Sequence, residues 1–224
     1  MKSIIKMSAN LLTIFRIILV FFMLPFIYFK FNVQNLLLYN NSINSFKFYF
    51  GMIFILAALT DYLDGFIARR FKQQTVFGQF FDPIADKILV FISLIYLYIL
   101  CQRCLLIIDF PEVNKKLENF ILSFLIISNL RDFLIMGIRC VAFEQKKIIN
   151  SSFLGRLKTF FIFISIILIL FIEFWIKIFN IKNIDIFIHF IQIFLFLNII
   201  FIVLSGLGYI IKNYVIIFAN FFES

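Results

Sequence analysis

The chain has 224 residues, 63% of them hydrophobic and 36 of them Phe, with 15% charged and a formal net charge of +9. A soluble domain of this size has too little interior to hide so much apolar surface. Without a basic soluble domain the positive charge offers no seat for nucleic acid, and suits instead a surface near anionic membrane phospholipid or phosphate.

Repeated apolar stretches of bilayer length predict an all-α, polytopic integral membrane protein. The opening Met1–Lys6 is basic, but no small-residue cleavage site follows its first apolar run, so it reads as an interfacial lead-in rather than a cleaved signal. Six transmembrane helices are then predicted: Asn10–Tyr28, Lys47–Ala68, Ile84–Cys101, Phe120–Val141, Leu157–Phe174 and Ile184–Lys212. Gln34–Ser45 and Cys101–Glu118 read as the longer loops between them. No domain-sized linker or internal repeat intervenes, so residues 1–224 are expected to form one membrane domain. With six spans both termini share a side, and 14 of the 21 Lys and Arg residues fall there. Positive-inside bias makes that side cytoplasmic, which places the chain in the cell's inner (plasma) membrane.

Between the second and third spans the sequence runs TDYLDGFIARRFKQQTVFGQFFDPIADK, from Thr60 to Lys87. An ionised carboxylate near hydrocarbon is costly, and this stretch carries four: Asp61, Asp64, Asp82 and Asp86. Asp61 and Asp64 are three apart and Asp82 and Asp86 four apart, so each pair shares a helical face. Gly78 and Pro83 are expected to mark the turn that folds one helix back beside the other. The four carboxylates then converge as oxygen ligands for one or two Mg²⁺ or Mn²⁺ ions, which would clamp a diphosphate as a phosphoryl bond breaks. Asp86 is the candidate with spare basicity to activate a hydroxyl, and the small Gly65 and Ala68 let a bulky ligand approach the backbone. The competing account is a salt-bridge network with Arg69, Arg70, Lys72 and Lys87.

These residues meet every fixed position of the pattern D-x2-D-G-x2-A-R-x8-G-x3-D-x3-D, and the chain therefore resembles the CDP-alcohol phosphatidyltransferases. The resemblance implies six transmembrane helices, a homodimer, and displacement of CMP from a CDP-linked lipid by an alcohol with divalent cations. It implies that Asp61, Asp64 and Asp82 hold a pair of ions and that Asp86 completes the site as general base. Gly65, Ala68 and Arg69 would contact the CDP group.

Basic residues bear on the acceptor. Arg131 and Arg139 lie eight apart in the cytoplasmic half of the fourth span, and Lys158 opens the fifth after Gly155 and Arg156. Arg forks suit phosphate oxygens, so the three are read as a pocket for a phosphorylated acceptor, against ordinary positive-inside anchoring. In the first span Asn10, Thr13 and Arg16 are candidates for nucleotide-phosphate contact, although snorkelling of Arg16 competes. Across most of the chain, through the fifth span, the sequence is similar to the bacterial phosphatidylglycerophosphate synthases of that family. The likeness rests on Asn10–Arg16, TDYLDGFIARR, DPIADK, Arg131-Asp132, Gly137-Ile138-Arg139 and Gly155-Arg156-Leu157-Lys158-Thr159. It implies CDP-diacylglycerol as donor, sn-glycerol 3-phosphate as acceptor, bound by Arg131, Arg139 and Lys158, and CMP as product. The alternatives are the same chemistry on another acceptor (cardiolipin, phosphatidylinositol-phosphate or phosphatidylserine synthesis), or a transporter or scaffold that uses the aspartates for ion passage. Cys101 and Cys104 leave a disulfide open on the far face, and His189 is read as a packing group.

Overall fold

In hydrocarbon a backbone N–H finds partners only within the protein, so long apolar runs fold as helices. The computed structural model describes residues 2–28, 45–61, 76–107, 111–144, 153–181 and 183–214. Among these residues every regular element is helical: α1 (Lys2–Tyr28), α2 (residues 45–61), α3 (Val76–Gln102), α4 (Pro111–Glu144), α5 (Phe153–Leu170), the short α6 (Ile172–Ile178) and α7 (Ile184–Lys212). Among the described residues four stretches are long and apolar enough to cross a bilayer, Leu11–Tyr28, Ile84–Gln102, Glu112–Arg139 and Ile184–Lys212. The α5–α6 pair adds a fifth if taken as one span bent by 70°. The predicted continuation of α2 to Ala68 lies outside the described residues.

The first span lies where predicted, Leu11–Tyr28, with the lead-in before it helical from Lys2. Other boundaries move: α4 begins at Pro111, which converts much of the expected Cys101–Glu118 loop into helix. Asn114 of α4 is tied to Ile107: its side chain accepts from Ile107 N at 3.1 Å and donates to Ile107 O at 2.8 Å. The fifth span does not run straight to Phe174 but breaks at Phe171. α3 starts at Val76 and passes through both Gly78 and Pro83, so neither marks the reversal expected there. Membrane helices tolerate an interior Pro where neighbouring groups take up the freed carbonyl.

α3 is the central helix, packed on α1, α4 and α5, while α7 packs on α4 and α5. Phe50 of α2 stacks on Tyr96 of α3 at 3.8 Å, and Phe54 meets Phe163 of α5 edge-on at 5.5 Å. Lipid-facing positions carry exposed apolar side chains such as Phe21, Phe22, Phe133 and Phe160, as expected of a surface whose solvent is hydrocarbon. At the end of the bundle opposite the aspartates, buried Lys47 bonds Leu105 O, Leu106 O and Glu173. Cys101 and Cys104 are free thiols there. His189 is exposed rather than packed as expected, its Nδ1 2.7 Å from the Asp185 carbonyl one turn earlier.

Candidate active site

The buried stripe of α1 runs Thr13, Arg16, Val20 and Met23, the three-and-four spacing of one helical face. Its apolar half enters the core, and its polar half meets the acidic residues. Thr13 Oγ1 donates to Asp82 Oδ1 at 2.5 Å. Arg16, wholly buried, places Nη1 3.0 Å from Asp61 Oδ1 and 2.5 Å from Asp86 Oδ1. Its Nε donates to Thr60 Oγ1 at 3.5 Å, and that hydroxyl donates to Ala57 O at 2.6 Å. Asp61 closes the described part of α2, and Asp82 and Asp86 sit one turn apart on α3, so three helices deliver the cluster. Burial raises the Asp82 carboxyl above the ordinary range; the Thr13 bond and the Arg16 charge oppose the rise, and Asp61 adds to it.

This donor set suits a hard divalent cation. All its ligands are oxygens, and two carboxylates from different helices already share one positive centre. Among the described residues no group of three acidic, His or Cys side chains is disposed to hold an ion by itself. The fourth aspartate, Asp64, lies outside them, as do Gly65, Ala68 and Arg69. Asn10 is on the helical backbone of α1, and its side chain is likewise outside the description.

A second polar cluster lies on the other flank of α3. Asp132 Oδ1 accepts from Lys158 Nζ at 2.5 Å and from Arg131 Nη1 at 3.0 Å, and the Asp132 carbonyl accepts from Lys87 Nζ at 3.4 Å. Lys158 is buried at the start of α5. Arg131 Nη2 reaches Ser205 of α7 at 3.2 Å, while buried Nε makes no hydrogen bond. Arg139, two turns further along α4, donates to Tyr209 OH at 3.3 Å. The structure thus gathers Arg131 and Lys158 directly, and ties Arg131 and Arg139 to successive turns of α7.

Sequence reasoning missed the partners. It assigned no role to Asp132, which organises the cationic cluster, although an acid beside Arg131 in an apolar run was the available signal. Thr60, Ser205 and Tyr209 were missed because a hydroxyl on a helix looks the same whether it faces a site or a neighbour. Arg16 is not a snorkelling residue: its guanidinium turns inward onto two carboxylates.

The family model for CDP-alcohol phosphatidyltransferase matches residues 6–204. Three similar proteins each carry the name CDP-diacylglycerol–glycerol-3-phosphate 3-phosphatidyltransferase. That of Wigglesworthia glossinidia brevipalpis is 35% identical over 150 residues, covering 66% of this chain and 68% of the relative. That of Mycoplasma genitalium is 32% identical over 170 residues, covering 72% of this chain and 64% of the relative. That of Pectobacterium atrosepticum is 45% identical over 87 residues, covering 38% of this chain and 41% of the relative. The matched parts therefore span about two thirds of the first two relatives' lengths and two fifths of the third's.

Proposed function

The chain belongs to the CDP-alcohol phosphatidyltransferase family, and from that premise we propose that it transfers the phosphatidyl group of CDP-diacylglycerol to sn-glycerol 3-phosphate. The products are phosphatidylglycerol phosphate and CMP. One observation carries the choice of acceptor. Arg131 and Lys158 converge on Asp132, beside Lys87, the residue that follows Asp86 in α3. Cationic groups suited to a phosphate thus gather at the residue after the candidate base, which supports a short alcohol bearing a phosphate.

In this reading Asp61, Asp64, Asp82 and Asp86 would hold two Mg²⁺ or Mn²⁺ ions, which would supply positive charge to the diphosphate and the leaving CMP. Gly65, Ala68 and Arg69 contact the CDP group. Arg131, Arg139 and Lys158 bind the acceptor phosphate and orient its sn-1 hydroxyl. Asp86 takes the hydroxyl proton, and the oxygen bonds to the lipid-linked β-phosphorus. The bond from that phosphorus to the bridging oxygen breaks, and CMP leaves with the oxygen. One domain of six spans, with α2 as the sixth, would place this chemistry at the cytoplasmic face of the inner membrane, in the family's homodimer.

The test uses purified protein, CDP-diacylglycerol and Mg²⁺ or Mn²⁺, and records CMP and lipid product with glycerol 3-phosphate, inositol 1-phosphate, phosphatidylglycerol or serine as acceptor. Selective turnover of glycerol 3-phosphate is expected, and selective turnover of another acceptor refutes the assignment. A groove of about 320 Å³ beside Lys87 and Asp132, walled by Ile84, Ile88, Phe91, Phe133 and Met136, is the reason for including a lipid acceptor.

A further inference from the structure

Arg16 Nη1 is shared by two carboxylate oxygens from different helices, Asp61 Oδ1 at 3.0 Å and Asp86 Oδ1 at 2.5 Å. The side chain is entirely buried, its Nε is directed at Thr60, and it sits one turn from Thr13, which bonds Asp82. A small divalent cation binds carboxylate oxygens at about 2.0–2.1 Å and needs their lone pairs open toward it. A guanidinium N–H in the same wedge uses those lone pairs and adds a positive charge.

We propose that Arg16 is a built-in competitor for the divalent ion, holding the Asp61 and Asp86 oxygens together until the ion takes them. The inference rests on the metal reading of the aspartates given above. An Arg stays charged at any working pH, so deprotonation cannot relieve this competition. Only another anion can draw the guanidinium away. The donor's diphosphate is such an anion, and the planar Arg fork matches it. Ion and nucleotide lipid then bind cooperatively, and the ion alone binds weakly.

The experiment measures Mn²⁺ binding to the full chain in detergent by the paramagnetic resonance of free Mn²⁺, with and without CDP-diacylglycerol. Arg16→Met keeps the stem and removes the charge. Without the lipid it should bind Mn²⁺ at least about tenfold tighter than wild type. Arg16→Lys keeps the competitor and should stay within about threefold of wild type. CDP-diacylglycerol should tighten Mn²⁺ binding more in wild type than in Arg16→Met. If wild type binds Mn²⁺ and Arg16→Met binds no tighter, the competition is overturned while the metal reading stands. If wild type binds no Mn²⁺ even with the lipid, the metal reading itself falls. Where Arg16→Met does not fold, Thr60→Val decides: it removes only the hydroxyl facing Nε and should tighten Mn²⁺ by about threefold. Unchanged affinity in that variant counts against the proposal.

Discussion

Removing the Asp132 carboxylate separates two accounts of how α4 and α5 are held at the cationic cluster. Lys158 keeps 2% of its side-chain surface exposed and lies 2.5 Å from Asp132 Oδ1, whose own side chain is 21% exposed. If the contact is a buried ion pair, loss of the acid strands a buried cation, at a cost of about 3–5 kcal/mol. The partial exposure of Asp132 argues for the lower end, about 3 kcal/mol. If it is an ordinary interhelical hydrogen bond in a bilayer, the coupling averages only about 0.6 kcal/mol and rarely exceeds about 1.7 kcal/mol. A double-mutant cycle of Asp132→Asn and Lys158→Met, read by reversible unfolding in micelles, isolates the pair from the neighbouring Arg131 contact. We expect a coupling of about 2 kcal/mol or more, with the double variant more stable than the sum of the single losses implies. A coupling at or below about 0.6 kcal/mol refutes the ion-pair account.

Asp86→Asn removes the candidate base, so CMP release should fall at least about 100-fold while the protein still purifies as a folded species; unchanged turnover excludes Asp86 from that role. A Cβ at Gly206 would lie 3.0 Å from Arg131 Cγ, so Gly206→Ala should displace the guanidinium by a few tenths of an ångström. The expected result is a KM for glycerol 3-phosphate raised roughly threefold to tenfold with the KM for CDP-diacylglycerol unchanged, and equal changes in both would contradict this placement of Arg131. Lys47→Met strips the Leu105 and Leu106 carbonyls and Glu173 of their shared donor at the opposite end of the bundle. It should cost about 3 kcal/mol in the same unfolding assay, and a loss under about 0.5 kcal/mol would show that water replaces the ammonium there.

The fold class was legible because apolar runs of bilayer length allow few other structures, and the acidic cluster because carboxylates are costly beside hydrocarbon. Boundaries were harder to read. Lys115, Lys116 and Glu118 made the start of α4 look like a loop, yet the helix runs through all three with Lys115 and Lys116 exposed and Glu118 half-buried. The bend at Phe171 has no Pro or Gly to announce it. Nothing in the spacing of Arg16 says which of its neighbours it faces, since that depends on how α1 rotates against α3. Asp132 illustrates the same limit: beside Arg131 in sequence it looks like a local pair, and only the packing of α5 brings Lys158 to it.

The two clusters are joined by one peptide unit. Asp86 and Lys87 are consecutive on α3, about 3.8 Å apart at Cα, and about 100° of helical rotation turns them to different flanks. Asp86 meets Arg16 of α1, and Lys87 meets the Asp132 carbonyl of α4. The geometry between the candidate base and the cationic cluster is therefore fixed by the backbone of α3 rather than by a loop. Each cluster also brings together charges that a bilayer tolerates only when paired, the carboxylates around Arg16 and the cations around Asp132. In each, the residue of opposite sign keeps the others apart from hydrocarbon and aimed at one point. Under the proposed function, substrate binding would exchange partners: diphosphate for the carboxylates at Arg16, and acceptor phosphate for Asp132 at the cations. This makes Arg16 and Asp132 opposite in sign and equivalent in role. Charge reversal at either should therefore do more harm than neutralisation, because it turns the organising charge into a further repelling one.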